Sequence, residues 1–173
     1  MNFKYAYQSK TLFYNGFVFD STLELKYVLS IEDTHAWLRN GIEIYYGINV
    51  QPSGIKTKLN CYRPDFLIRN LSTYNAELIE IKPDGFTKKI QRKRAKIVSR
   101  FIQKFAYDWS FHIVTESEII LSSKQLLRYK EIIATQADWR HQPCMTLLQN
   151  KTQLTDQDYE RFVRTGLLPA LVP

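Results

Sequence analysis

The chain has 173 residues, enough for one domain with a real core, and its 45% hydrophobic and 14% aromatic content excludes a disordered polymer. No apolar run approaches the roughly 18 residues that span a bilayer, and the opening MNFKYAYQSK lacks the apolar centre of a secretory signal. The net charge of +7 is local: eight basic residues lie between Lys88 and Lys104 with no acid among them, while the other 16 face 17 acidic residues. Such a segment is the footprint expected where a protein meets a polyanion. Cys61 and Cys144 form neither a metal spacing nor a disulfide framework, which fits a cytoplasmic protein. His35, His112 and His141 stand singly, which argues against a zinc site.

In chain order, Asn15-Gly16 lies between two aromatic-rich runs and predicts a two-residue hairpin turn. A helix follows from about residue 21, capped by Ser21, with Leu23, Tyr27, Val28 and Ile31 at helical spacing. Residues 42–50 read as a strand broken by Gln51-Pro52. A further strand is expected around Leu59 to Ile68, and another from Glu77 to Ile81, stopped by Pro83-Asp84-Gly85. The basic segment predicts a helix over roughly 86–106, with Ile90, Ile97, Val98, Phe101, Ile102 and Phe105 on one face. A strand at 109–114 and a helix opened by Ser122 or Ser123 come next, the latter with Leu126, Leu127, Tyr129, Ile132 and Ile133 as apolar positions. Thr155 can cap a short helix closed by Gly166. The expected order, β-β-α-β-β-β-α-β-α, is that of an α/β domain: a central mixed sheet flanked by helices.

The chemistry gathers in YRPDFLIRNLSTYNAELIEIKP, residues 62–83. The 14 residues between Asp65 and Glu80 suffice for two antiparallel strands and a loop, which would set the two carboxylates side by side. Glu80 and Lys82, two apart, project from one face of their strand. Oxygen ligands without histidine or thiolate favour Mg²⁺ or Mn²⁺, an ion able to activate water and stabilise charge on a phosphate, with Lys82 orienting that water. Taken alone, the two strands fit a solvent face with a cross-strand ion pair better than a metal site. Ser21-x-x-Glu24 likewise fits a capping box.

Pro64-Asp65 followed by Glu80-Ile81-Lys82 resembles the signature of the PD-(D/E)XK nuclease superfamily, which has a restriction-endonuclease-like core. Phe19-Asp20-Ser21-Thr22-Leu23-Glu24, Gln51-Pro52, Tyr62-Arg63-Pro64-Asp65-Phe66-Leu67, Glu80-Ile81-Lys82-Pro83 and Val114-Thr115-Glu116 follow in one order similar to the N-terminal catalytic domain of the TnsA endonucleases. The similarity covers about residues 10–120. It implies Glu24, Asp65, Glu80 and Lys82 as the active site of a Mg²⁺-dependent endonuclease, with Mn²⁺ able to substitute. Asp65, Glu80 and the main-chain carbonyl of Ile81 are the implied metal ligands, Glu24 binds directly or through water, and Lys82 serves the nucleophile.

The basic helix, with Lys88, Lys89, Arg92, Lys93 and Lys96, is then placed to hold DNA phosphates, although a basic face also merely solvates a helix. The expected organisation is a nuclease domain over 1–142 and an extension over 143–173 that packs on the core or binds a partner. About 50 residues follow the matched region, without a recognisable second domain of the kind TnsA proteins carry. DNA is the expected partner, with a transposase or other DNA-processing subunit and a second copy of the chain as further candidates, and no membrane. Alternatives are a branched-DNA recombination nuclease of the same superfamily and a DNA-binding scaffold that does not cut.

Overall fold

A computed structural model describes residues 12–39, 42–50, 57–85, 88–105, 107–135 and 156–165; within these, the side chains of 48–50, 57–59, 88–90, 156 and 158–159 are not described. Gln51-Pro52, both ends of the expected 86–106 helix, Thr155 and Gly166 lie outside the described residues.

The chain begins with a hairpin of β1 (Leu12–Tyr14) and β2 (Phe17–Phe19), turned at Asn15 and Gly16, whose φ angles are 49° and 87°. These left-handed values are those a type I′ turn demands, and Asn-Gly tolerates them at small cost. Ser21 caps α1 (Thr22–Ile31): its extended backbone aims the hydroxyl at the Glu24 N–H, 3.3 Å away.

The next element is a strand that periodicity did not announce, β3 (His35–Arg39). It pairs antiparallel with β6 (Phe66–Asn70), which pairs antiparallel with β7 (Ala76–Lys82), and β7 runs parallel to β8 (Trp109–Thr115). The order β3-β6-β7-β8 makes a mixed four-stranded sheet. The single strand expected over 59–68 is instead two, because Pro64 has no N–H to give a ladder and the chain turns there. Its first half is β5 (Thr57–Tyr62), which pairs with β4 (Ile44–Val50) in a separate ribbon. The register of that ribbon shifts between Tyr46 and Ile48, where Gly47 takes the left-handed conformation at φ 58°.

Cross-strand partners share a face, so the sheet has two distinct sides. One carries Trp37, Arg39, Phe66, Ile68 and Ile79 beneath α1 and the hairpin, with the Phe19, Trp37 and Phe66 rings 5.8–6.3 Å apart. The other carries Leu38, Leu67, Arg69, Leu78, Glu80 and Lys82. On this side α2 (Lys88–Phe105) reaches Glu80 through Arg94, and α4 (Asp156–Thr165) reaches Arg69 through the Arg164 carbonyl. Val98 and Phe162 are the fully buried anchors of these two helices. The helix α3 (Ser123–Thr135) lies beside α1, tied by Arg128 Nη1 to Glu32 Oε1 at 2.6 Å. Its Tyr129, Ile132 and Ile133 are half-buried as their spacing predicts, but Leu126 and Leu127 face solvent. The molecule is thus α/β, a mixed central sheet flanked by helices, and among the described residues no helix is long and apolar enough to cross a membrane.

Candidate active site

Asp65 stands just before β6. Continuing the register of Phe66 with Ile79 sets it beside Glu80, as the loop length between them predicts. Its Oδ2 accepts the Ile81 N–H at 2.6 Å, which fixes the carboxylate at the sheet's end. Glu80 is 2% exposed. Its Oε2 accepts the Tyr62 hydroxyl at 2.7 Å, and its Oε1 meets Lys82 Nζ at 2.5 Å and also Arg94 Nη1. Pro64 and the break it causes let β5 deliver Tyr62 to Glu80 while β6 starts anew at Asp65.

Lys82 Nζ is the centre of this group. It lies 2.8 Å from the Ile81 main-chain oxygen, 2.5 Å from Glu80 Oε1 and 3.7 Å from Asp65 Oδ2. These three groups are among the metal ligands that the resemblance implies, and here they converge on a single positive charge. Each donor is an oxygen and two are carboxylates, the donor chemistry that hard divalent cations take.

Glu24 is not in that group. Arg39, from the unforeseen β3, donates from Nε to Glu24 Oε2 at 2.9 Å and from Nη2 to Asp20 at 2.8 Å. Glu24 also accepts from the Ser21 hydroxyl at 3.2 Å and from the Asp20 N–H at 3.4 Å; of the anticipated capping box, the bond from the Glu24 N–H to Ser21 forms, while the Glu24 carboxylate reaches back to Asp20. Glu24 is close enough to Asp65 for the two carboxylates to repel, and Arg39 acts on both. Burial, then the charge of Asp65, push Glu24 above the ordinary carboxylate range, against the pull of Arg39. Burial likewise pushes Asp65 up, opposed by Lys82 and the Ile81 N–H. Tyr62 is raised by burial and stays a neutral donor to Glu80. Among the described residues, no three Asp, Glu, His or Cys side chains gather about one point.

On α2, Arg92, Lys93 and Lys96 are exposed, and the side chains of Lys88 and Lys89 lie outside the described residues. Arg94 turns inward, with its guanidinium 5.4 Å from the Tyr62 ring centroid. Arg94 belongs to the basic segment but is not among the five residues the sequence assigns to DNA, and its place three residues before the half-buried Ile97 and four before Val98 puts it at the edge of the buried face. Arg39 gave less notice, since one arginine ending a five-residue run carries no pattern. Comparison with protein-family models, with curated proteins and with solved structures finds no match for this chain.

Proposed function

We propose that the chain is a metal-dependent DNA endonuclease with a restriction-endonuclease-like core, acting as a TnsA-like cutting subunit in transposition or other mobile-element DNA processing. The observation that carries this reading is the convergence of Asp65, Glu80 and the Ile81 carbonyl on one cation at the sheet's end. The neighbouring α2, exposed and basic on its outer side, adds an electrostatic reason for a phosphate to approach.

Asp65, Glu80 and the Ile81 carbonyl would hold Mg²⁺ or Mn²⁺, which when bound supplies positive charge to the phosphate under attack and acidifies water. The Ile81 N–H and the Tyr62 hydroxyl orient the two carboxylates, so the donor set is fixed before substrate arrives. Lys82 then donates a hydrogen bond to the attacking water or to the phosphate oxygens as they gain charge. Glu24, held by Arg39, adds a second negative charge close to Asp65.

A second reading has a specific observation in its favour. Each carboxylate already has a cationic partner, Glu24 with Arg39 and Glu80 with Lys82 and Arg94, as in a structural ion network. On that reading the chain binds DNA without cutting. One assay separates the two: purified protein with supercoiled, linear and branched DNA, in Mg²⁺, Mn²⁺ or EDTA, beside Asp65→Ala and Lys82→Ala. Cleavage that needs metal and vanishes in both variants supports the nuclease. Cleavage by Asp65→Ala at the wild-type rate removes the site, and no cleavage of any DNA form leaves the scaffold reading.

A further inference from the structure

The basic side of α2 runs on past Lys96, the last of its residues read as a phosphate contact for the nuclease. Arg92, Lys96, Arg100 and Lys104 recur every fourth residue and are all exposed, so they form one stripe along its outer side. At 1.5 Å per residue this stripe is about 18 Å long. It starts beside Arg94, which meets Glu80, and ends at a ladder of aromatic rings. The rings of Phe105 and Tyr107 stack at 5.7 Å and 18°, and those of Tyr107 and Trp109 at 4.1 Å and 8°. Phe101 props the ladder from within, 5.0 Å from Phe105.

Helical spacing would carry Phe105 towards the core with Val98 and Phe101. Instead it leans on Tyr107 beyond the end of the helix and stays 50% exposed, with Lys104 Nζ 5.3 Å from its ring centroid. The ladder thus ends in a half-exposed ring with the Lys104 ammonium, on a long side chain that an incoming base can displace, lying over it. Trp109 pairs with Ala76, and Lys82 with Thr115, so ladder and site occupy opposite ends of β7 and β8. Six residues of strand separate them, about 20 Å.

We infer that this surface takes a single-stranded segment of DNA, its phosphates along the stripe and an unpaired base stacked on Phe105. Bases within a duplex stack on one another and offer no face to a side chain, whereas an unpaired base does, and basic grooves with aromatic platforms bind single strands for this reason. The substrate class is then DNA with unpaired nucleotides about 20 Å from the scissile bond. The position of the cut rests on the nuclease reading; the binding surface does not.

The test is fluorescence anisotropy in EDTA, where nothing is cut, with a single-stranded oligodeoxythymidylate of about 12 nucleotides, a blunt duplex and an RNA of equal length. Phe105→Ala should weaken single-strand binding about 5- to 150-fold while leaving the duplex little changed. Phe105→Leu, which keeps apolar bulk but has no ring, should match it, and Phe105→Trp should bind as wild type. Paired Arg100→Gln and Lys104→Gln changes should weaken both DNA forms. Wild type that ignores the single strand, or a Phe105→Ala or Phe105→Leu protein that binds it normally or loses equally on single strand and duplex, would overturn the inference, as would tighter Phe105-dependent binding of RNA. Asp65→Ala should bind the single strand as wild type does. A wild type that binds through Phe105 yet cuts nothing would fail the nuclease reading alone, and one that cuts but binds independently of Phe105 would fail only this one.

Discussion

The ammonium of Lys82 stands 2.5 Å from Glu80 Oε1, both side chains rising from the same face of β7. Because Glu80 is also the acceptor for Tyr62 and Arg94, its removal takes a charge partner from two cations and an acceptor from a phenol in a site that is 2% exposed at the carboxylate residue. Glu80→Ala should therefore lower the unfolding free energy by about 3–5 kcal/mol without added metal. Glu80→Gln keeps an acceptor for Tyr62 and should lose less. Urea unfolding followed by circular dichroism reads both, and a Glu80→Ala protein as stable as wild type would mean the two cations escape to water.

Arg39 and Glu24 make a second buried pair, 7% and 9% exposed at their side chains. Burial already raises Glu24 above its ordinary 4.5, and Arg39 is the main influence lowering it. A raised folded pKa means the native state holds the proton more tightly than the unfolded chain. That contribution to stability is fully present below about 4.5 and is lost as pH rises through the raised value. Arg39→Met removes the opposing pull, so its deficit should be small near pH ~4 and grow to about 3 kcal/mol at neutral pH. Urea midpoints across that range give the measurement, and a deficit independent of pH would deny that Glu24 titrates in this pair.

What the sequence makes legible here is whatever depends on neighbours along the chain. Asn15-Gly16, Ser21, the Pro83-Asp84-Gly85 stop and the alternation of Glu80 with Lys82 act locally and can be read by eye. What it hides depends on approach through space. The strand β3 is five residues with a histidine at one end and an arginine at the other, and it is a strand only because β6 lies against it. Arg94 resembles its basic neighbours until Glu80 and Tyr62 are seen beneath it. Pro64 did carry a readable signal, since a proline inside an apparent strand argues for two strands.

Asp65 provides a test of the cation site itself. Burial raises its pKa above the ordinary 3.8, and a divalent ion on the carboxylate would favour the charged form and expel the proton. Affinity for Mg²⁺ or Mn²⁺ should thus tighten as pH rises through that raised value and then level off. Titration calorimetry in buffers of different ionisation enthalpy should detect the released proton. Asp65→Asn should lose both the proton release and the thermal stabilisation that the ion gives wild type. Wild-type protein that neither binds the ion nor gains stability from it would leave Lys82 as the site's permanent cation.

The outer side of α2 is the last point at issue, because a basic face alone is also how a helix stays hydrated. Phosphate contacts have a signature that hydration lacks: each releases a condensed counterion, so the logarithm of affinity falls with the logarithm of salt by about 0.9 per contact on duplex DNA. Replacing Arg92, Lys93 and Lys96 by Gln should make the slope shallower by about 2–3 if each holds one phosphate. Arg94→Gln is the internal comparison, since its side chain points to Glu80 and its loss should lower stability more than it changes the slope. Binding measured from low to high salt decides the matter: a triple variant with the wild-type slope would assign those three residues to water.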